Sequence, residues 1–179
     1  GTLVNQDVPP KAIVAGQPAR IVGDVDTPRL TRTRSRHELP PGDLRVRGAR
    51  LIQLKFVEDL RGNLSVGQVG AELPFTPQRF FVVCDVPGPK VRGEHAHRVC
   101  EQFLVCTRGS ISVVVDDGSA SEEIVLDRPD LGLYVPPMVW AVQYQYSSDA
   151  LLVVLASHPY DAADYIRDYG EFLRVSRAS

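Results

Sequence analysis

The chain has 179 residues, 44% of them hydrophobic and 23% charged, a balance that fits one ordinary globular core and excludes disordered and fibrous classes. Its 20 Lys and Arg against 22 Asp and Glu give a formal net charge of −2, which excludes wholesale electrostatic binding to nucleic acid or anionic membrane; any anion must be held by locally placed cations. No apolar run approaches the roughly 18 to 20 residues of a membrane span, and Cys84, Cys100 and Cys106, odd in number and without paired metal spacing, read as reduced thiols of a cytoplasmic protein.

The first stretch, from Asp7 to Gly23, contains Val8-Pro9-Pro10 and Ala15-Gly16-Gln17-Pro18-Ala19. It resembles the final coil of the left-handed β-helix acyltransferases of the hexapeptide-repeat family. One such coil cannot bury its apolar face without at least about three stacked repeats. Residues 1–23 are therefore expected to be a fragment of that domain, and they contain no histidine that would serve acetyl transfer. Residues 24–50, with Arg29, Arg32, Arg34 and Arg36 at close intervals and no apolar period, read as a linker. The linker lacks aromatics on which bases would stack, which argues against a nucleic-acid-binding arm.

From Leu51 onward short β-rich runs follow one another: Leu51–Val57, Asn63–Val69, Arg79–Asp85, Glu101–Thr107, Ile111–Asp116, Glu122–Asp127, Leu133–Val135 and Leu151–Ala156. Turn formers separate them at the regular short spacing of an antiparallel sandwich or barrel. Asp116-Asp117-Gly118 predicts a hairpin between Ile111–Val115 and Glu122–Leu126. Near the end, acidic residues precede apolar ones at helical spacing, which predicts one closing helix over about Ala162–Tyr169.

The most informative stretch is Arg92-Gly93-Glu94-His95-Ala96-His97-Arg98-Val99-Cys100-Glu101-Gln102. If the chain is extended there, His95 and His97 point to one face with Cα atoms about 6.5 Å apart. Unperturbed imidazoles titrate where biological proton transfer occurs, and two on one face beside Arg92 and Glu101 form a costly group to bury for packing alone. His-x-His, then Glu, then Gly109 resembles the first motif of the cupin superfamily, in which those residues commonly hold a divalent metal. A metal site there needs a further imidazole after a Pro-containing turn, but Val135-Pro136-Pro137-Met138-Val139-Trp140-Ala141-Val142 has none, and His37 and His158 are poorly placed. No metal and no other cofactor is expected.

Over Leu51–Val175 the motifs Asp59-Leu60-Arg61-Gly62-Asn63-Leu64, Arg79-Phe80-Phe81, Arg92 to His97, Glu101-Gln102, Gly132-Leu133-Tyr134-Val135, Val139-Trp140 and Asp164-Tyr165-Ile166-Arg167 occur in an order that resembles the thymidine-diphosphate-sugar 3,4-ketoisomerases. The resemblance implies an all-β fold, a jelly-roll-like cupin antiparallel barrel over residues 51–179 with a short C-terminal helix, preceded by the remnant coil. It also implies a homodimer acting on a dTDP-linked 4-keto-6-deoxyhexose, and fusion behind a hexapeptide-repeat N-acetyltransferase accounts for residues 1–23. The implied chemistry is removal of the C3 hydrogen, an enediolate between C3 and C4, and reprotonation at C4. His97 is taken as the base and His95 as the shuttle, with the reverse division left open.

The diphosphate requires guanidinium groups, for which Arg79 and Arg92 are the candidates. Arg61 is assigned to the sugar end of the pocket and Tyr134 offers a hydroxyl, against the readings that Arg61 anchors a turn and Tyr134 fills the core. Trp140, among Met138, Val139 and Val142, reads as packing. Ala141 departs from the His or Arg that often follows the tryptophan in that family, which leaves the stereochemical outcome open. Three rivals remain: a metal-dependent cupin enzyme, a nucleotide-sugar epimerase and a non-catalytic nucleotide-sugar-binding barrel.

Overall fold

The computed structural model describes residues 12–15, 20–24, 41–59, 62–87 and 90–177. The chain divides into two units, Gly1–Glu38 and Leu39–Ser179. In the first, β1 (Ala12–Ala15) and β2 (Arg20–Asp24) pair antiparallel. The other residues of the expected acyltransferase coil, together with most of the expected linker and His37, lie outside the described residues.

The second unit runs through β3 (Gly42–Asp43), β4 (Arg50–Gln53), β5 (Lys55–Asp59), β6 (Gly62–Val66), β7 (Arg79–Cys84), β8 (Arg92–His97) and β9 (Gln102–Arg108). It continues through β10 (Ile111–Asp116), β11 (Ser121–Leu126), β12 (Leu131–Val135), β13 (Trp140–Tyr144), β14 (Leu151–Ala156), β15 (Tyr165–Ile166) and the helix α1 (Tyr169–Ser176). One sheet has the order β11-β10-β13-β8-β15 and the other β3-β4-β12-β9-β14-β7, while β5 and β6 form a separate hairpin. Every one of these strand pairs is antiparallel.

Period-two alternation makes a core between the two sheets. Leu104 and Cys106 of β9, Leu131, Leu133 and Val135 of β12, and Leu152 and Val154 of β14 join Ile111, Val113 and Val115 of β10 and Ile124 and Leu126 of β11 in one buried cluster. Each fully buried aliphatic side chain stabilises the fold by about 1.5–3 kcal/mol relative to exposure. The opposite face of β9 carries Phe103 and Val105, which pack with Leu54 and Leu73 in a second cluster. The all-β expectation therefore stands as a jelly-roll-like sandwich of two sheets, with no single closed barrel among the described residues.

Several boundaries differ from the sequence reading, three of them in ways that shape the fold. The expected linker ends early, because Gly42–Asp43 pairs with β4 and Val46 and Ala49 are buried in the main core. The expected run Leu51–Val57 is two strands broken at Leu54, whose N–H turns to the Asp130 carbonyl. The predicted helix over Ala162–Tyr169 is a 3-10 turn at Ala162–Asp164 followed by β15, and the helix begins only at Tyr169.

The physical reason for the last difference lies in three aspartates. Asp161 accepts the Ala163 N–H and closes the short turn, and the Asp164 carboxylate bonds across to β8 and the loop after it. Asp168 caps the true helix by accepting the Glu171 N–H at 2.6 Å. The Asp-Gly hairpin joins β10 to β11 as expected, with Asp116 opposite Ser121.

No helix among the described residues is long and apolar enough to cross a membrane. The helix α1 covers a third cluster in which Phe172 meets Ala96, Trp140 and Ile166. Phe172→Ala should lower stability by about 3–5 kcal/mol in urea unfolding, the usual cost of deleting a fully buried phenyl ring; a loss below about 1 kcal/mol would show that α1 is not part of the cooperative core.

Candidate active site

The site grows out of β8. Gly93 adopts φ +81°, and a Cβ there would stand 2.6 Å from the Ala141 carbonyl oxygen, so only glycine fits both the conformation and the contact. Glu94 follows at φ 51°, and the register with β13 shifts there, pairing Ala141 with His95 and Val142 with Gly93. This bulge re-aims the strand. It leaves His95 and His97 on one face with ring centroids 4.9 Å apart, nearly perpendicular.

His95 Nδ1 lies 2.8 Å from the Gly93 carbonyl. A carbonyl only accepts, so Nδ1 carries the proton and Nε2 is left with its lone pair. Burial pushes the His95 pKa below its ordinary value, outweighing the Gly93 carbonyl, which favours the charged form. The nearby Arg167 charge lowers it further, while Asp164 acts in the opposite sense. A neutral imidazole with a free ring nitrogen is what a general base requires.

His95 lines a cavity together with Phe81, Val83, Arg92, Gly93, Gln102, Gln143 and Tyr165. The buried His97 is not among these lining residues. Its Nδ1 sits 2.6 Å from Asp164 Oδ2 and its Nε2 3.0 Å from Gln102 Nε2. Burial again lowers its pKa, against the hydrogen bond it makes to Asp164, which favours the charged form. For Asp164, burial raises the carboxyl pKa, but the Val99 N–H, the His97 bond and charge and the Arg98 N–H outweigh it and hold the group below its ordinary value.

Arg92 is among the residues that line the cavity. Arg79 stands on the same strand face as the cavity residue Phe81, with its guanidinium 5.6 Å from the ring centroids of Phe81 and Tyr160. Its Nε is buried with no hydrogen-bond partner among the described residues, an orphan donor suited to an anion. Arg61 lies outside the described residues.

Tyr134 is not brought to the cavity. Its neighbours Leu133 and Val135 point into the main core, so Tyr134 alternates to the outer face, where it packs with Phe75 and donates to Glu101 at 2.9 Å. Burial and the Glu101 carboxylate push its pKa up to about 12. Sequence reasoning also passed over Tyr165, Gln143 and Asp164 as site residues. Tyr165 arrives through β15, which pairs Tyr165 with His97, and its ring contacts both histidines at 4.9 and 4.3 Å.

His97, Cys100 and Asp164 place one ligand atom each within 4.8 Å of one another, all buried. Two ligands on one zinc stand about 3.3 Å apart, from metal–ligand distances near 2.0–2.1 Å in a tetrahedron. The 2.6 Å between His97 and Asp164 is instead the length of a charge-assisted hydrogen bond. The group as it stands does not fit a metal.

The family described as "FdtA: WxcM-like, C-terminal" matches residues 47–177. A TDP-4-oxo-6-deoxy-alpha-D-glucose-3,4-oxoisomerase of Aneurinibacillus thermoaerophilus is 44% identical over 123 residues, spanning 69% of this chain and 88% of that protein. Among solved structures, the WlaRB TDP-quinovose 3,4-ketoisomerase from Campylobacter jejuni is 40% identical with a TM-score of 0.69, over 72% of this chain and 99% of that one. A histidine-to-asparagine mutant of the 3,4-ketoisomerase QdtA from Thermoanaerobacterium thermosaccharolyticum, in complex with TDP-4-keto-6-deoxyglucose, superposes with a TM-score of 0.72 at 29% identity, over 74% of this chain and 96% of that one. With a cavity built around a free imidazole nitrogen and these relatives on either side, the chain belongs to the FdtA, WxcM-like C-terminal family, together with these 3,4-ketoisomerases.

Proposed function

We propose that this chain isomerises a TDP-linked 4-keto-6-deoxyhexose to the 3-keto sugar, with His95 as the base. The observation that carries the reading is His95 at the cavity wall with its Nδ1 bonded to the Gly93 carbonyl, which leaves Nε2 of the neutral ring unprotonated. The hydrogen on C3 is acidified by the neighbouring carbonyl. His95 Nε2 takes that proton, the C3–H electron pair becomes the C3–C4 double bond of an enediolate, and the imidazolium returns the proton to C4. The hydroxyl proton passes from O3 to O4, so the sugar is neither oxidised nor reduced overall.

This assignment reverses the division of roles expected from sequence. It is supported by the engagement of both His97 nitrogens, one by Asp164 and one by Gln102. Arg92 in the cavity and the orphan Nε of Arg79 support their assignment to the diphosphate, and Arg61 keeps its place at the sugar end on the sequence resemblance alone. A homodimer belongs to the same reading, supported by Phe80 and Val82 standing exposed on β7 at the edge of the six-stranded sheet. So does a reducing, cytoplasmic setting, supported by three free thiols. The terminal-coil assignment of residues 1–23 rests on their sequence.

Proton NMR of the chain with TDP-4-keto-6-deoxyglucose in deuterated buffer should yield the 3-keto sugar with deuterium incorporated, and EDTA should leave the rate unchanged. Deuterium at C5 without isomerisation would turn the assignment to an epimerase, and inhibition by EDTA would turn it to a metal enzyme. His95→Asn should lower kcat by about 10²–10⁴-fold, the usual contribution of a positioned general base.

The pH profile has a defined sign. Because His95 is held below the ordinary imidazole value of 6.5, its basic form prevails at neutral pH and is lost only as pH falls. The acid limb of kcat/KM should therefore have its midpoint below pH 6.5, and a midpoint above 6.5 would remove His95 as the base.

A further inference from the structure

The hydrogen bonds around His97 run in one direction. The Asp164 carboxylate, ionised and accepting the Val99 N–H at 2.7 Å, has only acceptors to offer, so His97 Nδ1 donates to it. At the other end the side-chain nitrogen of Gln102 has only donors, so His97 Nε2 accepts. Both ends demand the same neutral tautomer. With its nitrogen committed to His97, what Gln102 has left for a ligand in the cavity it lines is its carbonyl oxygen.

Gln143 lines the same cavity and is fixed with the opposite polarity. Its Oε1 accepts the Tyr146 hydroxyl at 2.9 Å, and burial holds that hydroxyl protonated by pushing its pKa up to about 12. What Gln143 has left for a ligand is its N–H groups. Two amides of reversed polarity in one cavity match a ligand with a hydroxyl and a carbonyl on neighbouring carbons.

We propose that Gln102 and Gln143 are an acceptor–donor pair that sorts the hydroxyl from the carbonyl of a vicinal hydroxyketone, and that Asp164 is the positioning residue that sets Gln102 by fixing His97. The inference rests on the ketoisomerase reading for its kinetic consequence and names the sugar feature that the site recognises. Asp164 is not among the residues that line the cavity. Replacing it by Asn keeps an oxygen for the Val99 N–H and turns an amide N–H toward His97 Nδ1. The proton then moves to Nε2, and the Gln102 amide must reverse, which faces its N–H toward the hydroxyl that its carbonyl had accepted.

Two measurements on the full chain test this. Long-range proton–nitrogen correlation spectra of histidine-labelled protein, with His97 assigned among the four histidines by its loss in His97→Gln, should show Nδ1 protonated in the wild type and Nε2 protonated in Asp164→Asn. The wild-type spectrum alone overturns the proposal if His97 carries its proton on Nε2, whether or not the variant folds.

The second is a double-mutant cycle on kcat with TDP-4-keto-6-deoxyglucose. Asp164→Asn and Gln102→Met should each lower kcat by about 10²-fold, the scale of a misplaced substrate contact, and the double variant should be no slower than Gln102→Met alone, because Asp164→Asn keeps the Val99 bond and so leaves β15 in place, altering the cavity only through Gln102. Losses that multiply would assign Asp164 a separate role and overturn the coupling. Absence of turnover in the wild type would remove the ketoisomerase reading instead, while the tautomer spectra still decide the polarity of the relay.

Discussion

The buried carboxylate of Asp164 holds the working part of this molecule together. It accepts the Val99 N–H and bonds to His97, while the backbone carbonyl of the same residue accepts the Arg98 N–H at 2.9 Å. These three bonds lock the segment after the last long strand onto the end of β8. Only then does the chain run extended through Tyr165 and Ile166, pair with His97 and Ala96, and bring the Tyr165 ring against both histidines. An isolated carboxylate taken from water costs several kcal/mol, and removing one partner of a buried pair leaves most of that cost exposed. The cost is offset here because each oxygen and each ring nitrogen of the pair has a partner.

The same accounting explains why the two histidines differ although they stand two residues apart on one face. Gly93, with its left-handed backbone, turns its carbonyl back onto His95 and leaves the far nitrogen to the cavity. His97, one pleat further in, is satisfied at both nitrogens by side chains from elsewhere in the fold. Burial depresses both pKa values, so both rings are neutral near neutral pH, yet only one has a lone pair to spend on chemistry. Two identical residues two positions apart thus differ through their hydrogen-bond partners alone, and the proposed division into a reacting and a holding role follows that difference.

Much of this was legible in the sequence because local rules decided it. Alternating apolar runs and the Asp-Gly turn fixed most of the strands, and the His-x-His spacing placed both imidazoles on one face before any coordinates were needed. Non-local contacts decided the rest. Acidic residues ahead of Tyr165 read as a helix start, but Asp164 found stronger partners across the sheet than along its own chain, and the helix waited for Asp168. Tyr134 looked like a pocket residue until strand parity set it opposite Leu133 and Val135. Residues 42–50 read as linker since the short pairing of Gly42–Asp43 with β4 and the burial of Val46 and Ala49 leave no periodic trace.

Ala141 is where the constraints on the chemistry meet. It pairs with His95 across the strands, is buried in the main core, and shares a strand face with the cavity residue Gln143 by the two-residue period of β13. A methyl group neither donates nor accepts a hydrogen bond, so β13 offers the reaction no acid or base at this position. Its only polar contribution to the cavity is Gln143, an amide that does not titrate. On the proposed reading, proton transfer falls to β8, where His95 stands against Tyr165 of β15, and the face of the sugar that meets His95 Nε2 decides on which side C4 receives its hydrogen. On that reading, stereochemistry is governed by how the amides and guanidinium groups seat the sugar, with no titratable side chain of β13 at the cavity to compete.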